Sequence, residues 1–483
     1  MSPTSAPRTG SARHDEVVAQ LYSRWPEHRI APSLGRIQAL CDLLASPERA
    51  TPVIHVAGTN GKGSTAIIID ALLRATGLRT GRMTSPHLLD VRERISIDGE
   101  PISADLFDDL YDQIAPMVEM VDAQLIDGVR MTAFEVYTAL GFAAFADAPV
   151  DVAIVEVGLG GTWDATNVAD ATVAVVCPVD FDHMHILGST LEEIAGEKAG
   201  IIKPGSTAVL AAQHPEAARV LLDRCAQVGA HPVLEGVDFA VLDRAGAVGG
   251  QMLRLQTASG PLGDLYLPLF GAHMAQNAAV AVAAVEQFLG GQELDAQIIN
   301  DGFAGVLAPA RLEVLRRSPT VLLDTAHNPH AARALVESVE ENFGFPRLIG
   351  VVSMMADKNI DEVLTVFSEA MTDVVVTRVS STDRALAIDE LVDRAAGVFG
   401  ADRVESAPTY AEAVELAMRL ADEAGPAAGV LIAGSVIGAG EARALFVSPD
   451  REAERDPMVT VGIGEPVDPA SDWPATGDDP EGL

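Results

Sequence analysis

Cysteine is scarce in this sequence, with 3 residues in a chain of 483. Cys41, Cys177 and Cys225 lie far apart, and none has a second cysteine or a histidine at the spacing of a zinc site. This pattern excludes a disulfide framework and a zinc site of the usual kind. We therefore expect reduced thiols in the core of a cytoplasmic protein.

Positive charge is also in short supply. The chain has 33 lysine and arginine residues against 69 aspartate and glutamate residues, for a formal net charge of -36. Binding to nucleic acid normally requires a basic stripe, so we expect no nucleic-acid partner. Any phosphate site must therefore be local, made of a few cations and backbone amides.

Long apolar runs are missing as well. The stretch around Val152 to Val157 is interrupted by Asp147, Asp151 and Glu156, so we expect no membrane-spanning helix and no membrane partner. The opening "MSPTSAPRTGSAR" lacks the apolar segment of a secretory signal. It predicts a disordered lead over residues 1–18 and no export.

The chain does have short apolar runs that alternate with helical patterns, which is typical of an α/β fold with mainly parallel sheets. "VIHVAG", "VDVAIVEVG" and "ATVAVVCPVD" are predicted to be buried strands of a first domain over residues 19–308. Between Phe239 and Leu269 the runs become short and alternating and are broken by glycines, which predicts an antiparallel insertion or edge.

A second set of strands follows a boundary placed near Pro309. "TVLLDTAH", "RLIGVVSMM", "DVVVTRV" and "GVLIAGS" each precede a helical pattern, which predicts a smaller Rossmann-like domain over residues 309–447. From Ser448 the chain is rich in proline, glycine and acidic residues. We therefore expect a disordered acidic tail over residues 448–483.

The stretch "HVAGTNGKGSTA", residues 55–66, joins a predicted strand to a predicted helix. Glycines allow a tight turn that aims backbone N–H groups at an anion, and the helix N-terminus adds positive potential. Lys62 would neutralise phosphate oxygens and the Ser64 hydroxyl would meet a magnesium ion. The spacing departs from the general P-loop pattern, because Gly58 lies three residues before Gly61. We interpret it as a P-loop rather than a plain tight turn.

Three further residues follow predicted strands or lie on a short helix. Glu156 ends a buried strand, where a bound magnesium ion would offset the cost of burying its charge. The alternative is a glutamate capped by the amides of "GLGG". His183 is a candidate metal ligand or a loop histidine, and Lys198 is by itself a solvated helix cation. All three could converge on the phosphate loop.

Eight motifs occur in a specific order: "GTNGKGS", "TSPHL", "RERISIDGEPIS", "TAFE", "EVGLGGTWDATN", "DFDHMHILGSTLEEIAGEKAGIIKPG", "PARLE" and "DTAHNP". With them the sequence resembles folylpolyglutamate synthase and dihydrofolate synthase, within the Mur ligase superfamily, over about residues 20–446. The resemblance implies a P-loop-containing Mur ligase-like central domain and a smaller Rossmann-like C-terminal domain. It also implies ATP and Mg2+ as cofactors.

The resemblance further implies site residues in a cleft between the two domains. ATP would be bound by Thr59, Asn60, Gly61, Lys62, Gly63, Ser64, Asn277, Arg311, Asp324 and His327. Magnesium would be bound by Ser64, Ser85, Glu156, His183 and Lys198, the last as a carbamate. The pterin would contact Ile30, Ala31, Pro32, Thr132, Ala133, Phe134, Glu135, Trp163, Asp164 and Ala165. Catalytic roles would belong to Lys62, Lys198, His183 and His327.

Several of these residues could instead have a role only in the fold. Asn277 could be a helix cap, Arg311 part of an ion pair and Asp324 a turn former, while Phe134 and Ile30 could be core residues. Four positions depart from the family pattern. Relatives commonly have Arg where this chain has Thr162, Gln where it has Met274, and Gly where it has Ala310 and Thr325. Substrate preference is the property that these differences, above all the one at Thr162, are expected to change.

The implied activity is ATP-dependent addition of L-glutamate to tetrahydrofolate, and also to 7,8-dihydropteroate, through an acyl phosphate. Two alternatives stay open at this point. A Mur-type cell-wall ligase would need a further N-terminal domain, and only about 50 residues precede the first predicted strand. A nucleotide switch would need a guanine-reading Asn-Lys pair, which the chain lacks. We expect a monomer.

Overall fold

The computed structural model describes residues 11–24 and 31–447. Two α/β lobes built on largely parallel sheets follow each other along the chain, and the first lobe also carries a small antiparallel sheet. The predicted α/β class with a larger first lobe and a smaller second lobe is confirmed.

The first lobe is built on an eight-stranded sheet in the order β4-β3-β2-β5-β1-β6-β7-β8. Its strands are β1 (Val53–Ala57), β2 (Thr80–Met83), β3 (Ile95–Ile97), β4 (Glu100–Pro101), β5 (Val152–Glu156), β6 (Ala171–Val176), β7 (Thr207–Leu210) and β8 (His231–Leu234). Every residue of β1 is buried, and β1 pairs in parallel with β5 on one side and β6 on the other. The carboxyl ends of these three central strands therefore open at one edge.

Helices cover both faces of this sheet. They are α1 (Ala12–Tyr22), α2 (Gly35–Leu43), α3 (Lys62–Ala75), α4 (Ala104–Gln124), α5 (Ala133–Asp147), α6 (Met184–Leu187), α7 (Leu191–Ala199), α8 (Pro215–Val228), α9 (Ala272–Phe288) and α10 (Ala296–Ala304). The helices α3, α9 and α10 share one hydrophobic core, and α1, α2, α4 and α5 share another. This burial on both faces explains why the strands are continuous apolar runs.

The predicted antiparallel insertion is present between Phe239 and Leu269. Three strands form it in the order β11-β10-β9, with bounds β9 (Ala240–Ala247), β10 (Gly250–Thr257) and β11 (Gly260–Leu267). Both pairings are antiparallel. Its inward leucines, including Leu253 and Leu265, extend the core of α9 and α10.

The second lobe has a six-stranded sheet in the order β12-β13-β17-β14-β15-β16. Its strands are β12 (Glu313–Arg317), β13 (Thr320–Leu323), β14 (Leu348–Val352), β15 (Asp373–Val376), β16 (Val404–Ser406) and β17 (Gly429–Ala433). Its helices are α11 (Pro329–Asn342), α12 (Ile360–Ala370), α13 (Ile388–Phe399), α14 (Tyr410–Ala424) and α15 (Val436–Arg443). All pairings except β12–β13 are parallel, as a doubly wound lobe requires.

The disordered lead predicted for residues 1–18 is wrong from residue 12 onward. Helix α1 begins there because the Ser11 side chain accepts a hydrogen bond from the His14 backbone and Val17 and Leu21 are buried. His14 Nδ1 also lies 2.7 Å from a carboxylate oxygen of Asp108 on α4, with both side chains buried. Residues 1–10 and the predicted tail over 448–483 lie outside the described residues.

The boundary near Pro309 stays a prediction, with β12 of the second sheet beginning at Glu313.

None of the helices in residues 11–24 and 31–447 has the length and apolar character that crossing a membrane requires.

Candidate active site

The predicted phosphate loop lies between β1 and α3. Gly58 and Gly61 have φ angles of 148° and 85°. A Cβ atom at Gly61 would lie 2.6 Å from Oδ1 of Asn277, and one at Gly58 would lie 2.6 Å from Cβ of Cys177. Both positions therefore require glycine for conformation and for space. The loop ends at Lys62, the first residue of α3, so the free N–H groups of that helix follow directly.

Lys62 and Asn277 belong to the surroundings of this loop. The Lys62 ammonium donates to the carbonyl oxygen of Thr59 at 3.1 Å. Asn277 is buried in the interior of α9, five residues after the helix begins, so the alternative that it caps a helix is wrong. Its side chain faces Gly61 across the loop.

Glu156 is the last residue of β5 and is buried. Its carboxylate accepts a hydrogen bond from the backbone N–H of Ser85 at 3.0 Å. Two amides of "GLGG" donate to Asp164 instead: that of Leu159, at 2.9 Å, and that of Gly158. Burial raises the pKa of Glu156, and the nearby charge of Lys62 opposes that rise. Its carboxylate lies beside Gly63 of the phosphate loop, and no lysine or arginine in the described part of the chain forms an ion pair with it.

The sequence around Lys198 is typical of a solvated lysine on a helix, but the structure buries this residue. Its side chain is 4% exposed, and Nζ donates to the carbonyl oxygen of Gly58 at 2.8 Å. Burial, together with the charge of Lys62, lowers the pKa of Lys198 to about 7. A substantial share of this amine is therefore neutral near pH 7, and the neutral amine is the form that adds carbon dioxide.

His183 immediately precedes α6 as its N-cap residue and has a left-handed conformation with φ of 49°. Burial and the charge of Lys358 lower the pKa of His183 to about 4, so the imidazole is neutral near pH 7. A neutral imidazole is the form that binds a metal ion. The residue lies in a loop, as one alternative held, and it also lines the cavity described below.

The loop that carries His183 contacts the second lobe. Asp182 accepts from Lys358 Nζ at 2.8 Å and from Asn328 Nδ2 at 3.1 Å, and its carboxylate lies 3.6 Å from His327 Nε2. Asn328 Nδ2 also donates to Asn60 Oδ1 of the phosphate loop at 3.1 Å. These contacts fix the start of α11 against the carboxyl edge of the first sheet.

Arg311 precedes β12 and Asp324 follows β13, so both lie at the same end of this antiparallel strand pair in the second lobe. Arg311 donates to the hydroxyl of Thr325 and forms no ion pair with a described residue, so that alternative is wrong. Asp324 accepts from the backbone N–H groups of Leu312 at 2.8 Å and Ala326 at 2.7 Å, as a turn former does. Its role toward a nucleotide stays a prediction.

Two departures from the family pattern have visible consequences. Ala310 has φ of 53°, a conformation that glycine adopts without strain and alanine does not. Thr162 donates its hydroxyl to the carbonyl oxygen of Glu197 at 3.1 Å, so this side chain is tied to α7.

A cavity of about 410 Å3 opens between the lobes. Of the predicted ATP, metal and catalytic residues it is lined by Thr59, Lys62, Ser85, His183, Lys198 and His327. Of the predicted pterin contacts it is lined by Ala31, Pro32, Thr132, Phe134, Glu135, Trp163, Asp164 and Ala165. Ala133 is buried at the start of α5 and is not part of the lining. Ile30 lies outside the described residues.

One wall of the cavity is held by an arginine that the sequence gave no reason to select. Arg36 is 1% exposed, and its Nε donates to the carboxylate of Glu135 at 3.0 and 3.2 Å. A second nitrogen of Arg36 donates to the carbonyl oxygen of Ala31. Glu135 also closes a capping box with Thr132 at the start of α5. The Glu135 carboxylate is therefore occupied in fixing the wall.

Known proteins match this chain over most of its length. The Mur ligase middle domain matches residues 103–285, and the glutamate ligase domain of Mur ligases matches residues 310–436. A dihydrofolate synthase/folylpolyglutamate synthase of Mycobacterium tuberculosis is 46% identical, with the alignment covering 92% of this chain and 97% of the relative. The chain belongs to the dihydrofolate synthase/folylpolyglutamate synthase family. It is therefore an ATP-dependent ligase of the Mur type.

Solved structures of this family support the same assignment. A Mycobacterium tuberculosis folylpolyglutamate synthase complexed with ADP is 47% identical, has a TM-score of 0.87 and covers 90% of this chain and 99% of its own. An E. coli structure in complex with DHPP and ADP is 29% identical, with a TM-score of 0.77 and coverage of 91% and 98%. This membership decides against a nucleotide switch and against a cell-wall ligase.

The residues that the family resemblance implies as magnesium ligands carry different kinds of donor group. Among residues 11–24 and 31–447, no three His, Cys, Asp or Glu side chains group as a metal site. The implied set instead combines the hydroxyls of Ser64 and Ser85, the carboxylate of Glu156, neutral His183 and Lys198 as a carbamate. Hydroxyl and carboxylate oxygens suit Mg2+, and the buried Glu156 carboxylate forms no ion pair with any residue that the structure describes. The donor chemistry therefore fits a magnesium ion.

Proposed function

We propose that this protein adds L-glutamate to tetrahydrofolate and to 7,8-dihydropteroate, with ATP and Mg2+, as a cytoplasmic monomer. The observation that supports this most strongly is the composition of the 410 Å3 cavity between the lobes. It brings the phosphate loop, Lys198 and His183 together with the aromatic side chains of Phe134 and Trp163. The names of the relatives point to the same substrates.

The triphosphate would lie along the loop from Thr59 to Ser64. Its phosphate oxygens would accept hydrogen bonds from the N–H groups at the start of α3, and Lys62 would neutralise their charge. Asn277 would hold the nucleotide from the first lobe. From the second lobe, Arg311 and Asp324 would reach its phosphate and ribose.

The acceptor would enter beside the wall formed by α5 and the loop after β5. Phe134 packs over Gly158, where an added Cβ would lie 2.4 Å from the ring, so the ring is held in place. Trp163 lies beside Gly160 in the same way, at 3.2 Å. A flat pterin ring is suited to such aromatic contacts.

The reaction requires activation, because a carboxylate is a poor acylating agent at neutral pH. An oxygen of the acceptor carboxylate attacks the γ-phosphorus of ATP, and ADP leaves to give an acyl phosphate. The neutral α-amino group of glutamate then attacks the carbonyl carbon, loses a proton and expels inorganic phosphate. Lys62 and His327 stabilise the negative charge that spreads over the transferred phosphoryl group.

A bound magnesium ion would supply Lewis-acid stabilisation of the phosphate oxygens. Ser64, Ser85, Glu156 and His183 would hold it, and Lys198 would contribute after carbamylation has replaced its positive charge by a negative one. The protein needs no covalent nucleophile for this reaction.

The experiment measures ADP release by the purified protein with magnesium. We expect release only when an acceptor and glutamate are present together, with the amide product found by mass spectrometry. Lys62→Ala should lose this activity while its circular dichroism spectrum stays unchanged, because phosphate neutralisation is lost. ADP release without acceptor and glutamate, or near-normal turnover by Lys62→Ala, would contradict the proposal.

A further inference from the structure

The central strand of the first lobe contains a buried histidine that the reaction does not use. Of the five residues of β1, only His55 is polar, and its side chain is fully buried. Burial, together with the charge of Lys203, lowers the pKa of His55 to about 3, so the imidazole is neutral near pH 7. A polar ring inside a buried strand costs free energy unless its nitrogens are bonded. The bonds that His55 makes therefore indicate what it does.

The partner of His55 is Thr166, which lies 111 residues further along the chain. The Nε2 atom of His55 is 2.8 Å from the hydroxyl oxygen of Thr166, and Nδ1 has no partner in the part of the chain that the structure describes. The Thr166 hydroxyl in turn donates to the carboxylate of Asp164. Because a hydroxyl has one proton, its oxygen must accept from His55. The imidazole therefore carries its proton on Nε2, and the three side chains form one directed chain of hydrogen bonds.

Asp164, at the end of this chain, fixes the shape of the loop of residues 157–166, here called the acceptor loop. One carboxylate oxygen also accepts from the backbone N–H of Thr166 at 3.0 Å, and the other accepts from the N–H of Leu159 at 2.9 Å. The carboxylate thus joins the beginning of the acceptor loop to its end. Trp163 of this loop lines the cavity, as do Leu159 and Asp164.

The strand that carries His55 also carries the phosphate loop. Strand β1 ends at Ala57, and Gly58 of the phosphate loop follows directly. The bond from His55 to Thr166 therefore joins the acceptor loop to the strand from which the phosphate loop begins. Transfer of a phosphoryl group needs the reacting atoms aligned at about 3 to 3.5 Å, and a displacement of about 1 Å can lower the rate about 100-fold.

We propose that His55 is a positioning residue for the acceptor: through Thr166 and Asp164 it holds the acceptor loop in a fixed place relative to the phosphate loop. This inference rests on the proposed function, because it assumes that the pterin of the acceptor binds along the acceptor loop. His55 does not line the cavity, so it acts only through the other two side chains. Changes at His55 should therefore alter the use of the acceptor and leave the binding of ATP unaltered.

The experiment uses the full chain with His55→Leu, which removes the donor, and His55→Gln, which keeps an N–H group near the position of Nε2. Thr166→Val removes the middle of the hydrogen-bond chain, and Thr166→Ser keeps the hydroxyl. The matched control is His14→Leu, because His14 is another buried histidine that is bonded to a side chain, that of Asp108, and lies outside the cavity lining. For each variant, KM and kcat are measured for ATP, glutamate, tetrahydrofolate and dihydropteroate, and urea denaturation gives the free energy of unfolding.

We expect His55→Leu and Thr166→Val each to raise the KM for both acceptors about 3- to 10-fold, as the loss of one buried hydrogen bond predicts, with the KM for ATP unchanged. The two changes break the same chain, so the double variant should raise the acceptor KM no further than the more affected single variant. His55→Gln and Thr166→Ser should recover most of the loss. His14→Leu should lower the free energy of unfolding without changing any KM.

Wild-type acceptor KM values in folded His55→Leu and Thr166→Val would overturn the inference. An equal rise in the KM for ATP and for the acceptors would also overturn it, because it would show a general loosening of the lobe. If His55→Leu does not fold, Thr166→Val and Thr166→Ser decide the same question. Failure of the wild type to ligate either acceptor would instead overturn the proposed function.

Discussion

Lys198 shows how strongly the surroundings of one side chain decide its chemistry. The sequence places it on a short helix between small residues and an acid, where a lysine is ordinarily solvated. In the structure it is buried against the carbonyl oxygen of Gly58, which is 140 residues away along the chain. Because local sequence does not encode this contact, only the resemblance to a family pointed to the residue.

We predict that Lys198→Ala lowers kcat at least about 100-fold, because the carbamate would be lost from the phosphate site. Small carboxylates such as acetate should restore part of the activity by occupying the space that the side chain leaves. The control is Lys203→Ala, since Lys203 donates to the carbonyl oxygens of Asn167 and Ala169 and does not line the cavity. Unchanged activity of Lys198→Ala, with no response to acetate, would remove this lysine from the site.

Gly61 permits a prediction with a closely matched control. Gly61 and Gly77 have φ angles of 85° and 87°, but only Gly61 has a neighbour, Asn277, where a Cβ would lie. Gly61→Ala should therefore raise the Kd for ATP at least about tenfold, by strain and by collision with Asn277. Gly77→Ala should lower stability through its strained φ without changing that Kd, as isothermal titration calorimetry can check. Equal ATP affinity in the two variants would refute the assigned role of the loop.

At the scale of elements, apolar runs bounded by glycine and acidic residues predicted the central strands well. The runs around Val53, Val152 and Ala171 became β1, β5 and β6, because strands buried on both faces must be apolar throughout. Helix α1 was missed because its contacts with the rest of the lobe are non-local. His14 meets Asp108, which lies 94 residues further along the chain.

Helix α9 carries a buried carboxyl group with a testable effect on stability. Burial raises the pKa of Glu286 to about 7, although the backbone N–H of Leu294 donates to it at 3.3 Å. An unfolded glutamate has a pKa of about 4.3, so between about pH 4.3 and 7 the folded protein holds a proton that the unfolded chain lacks. The free energy of unfolding must therefore fall as pH rises through this window.

Glu286→Gln should flatten this dependence and raise the free energy of unfolding at pH 8 by about 2 kcal/mol. Glutamine keeps an oxygen that accepts from Leu294. Urea denaturation at a series of pH values provides the measurement, and Glu369→Gln, at an exposed carboxylate on α12, should follow the wild type. The same pH slope in Glu286→Gln and the wild type would contradict the prediction.

At the scale of the whole molecule, the site depends on how the two lobes meet. The sequence places Glu156 and His183 at the ends of predicted strands, and this alone predicted that both would lie at one edge of the first sheet. Asp182 at this edge is bonded to Lys358 and Asn328 of the second lobe. These two residues lie 176 and 146 residues from Asp182 along the chain. Sequence patterns report which edge of a sheet carries polar residues, but they do not report how one lobe docks on another.

The central claim is that both lobes hold one triphosphate. It is tested most directly by a crystal structure with a non-hydrolysable ATP analogue and magnesium. We predict phosphate density against the N-terminus of α3 and Lys62, with the ribose near Asp324 of the second lobe. Nucleotide density confined to one lobe, away from both Lys62 and Asp324, would contradict it.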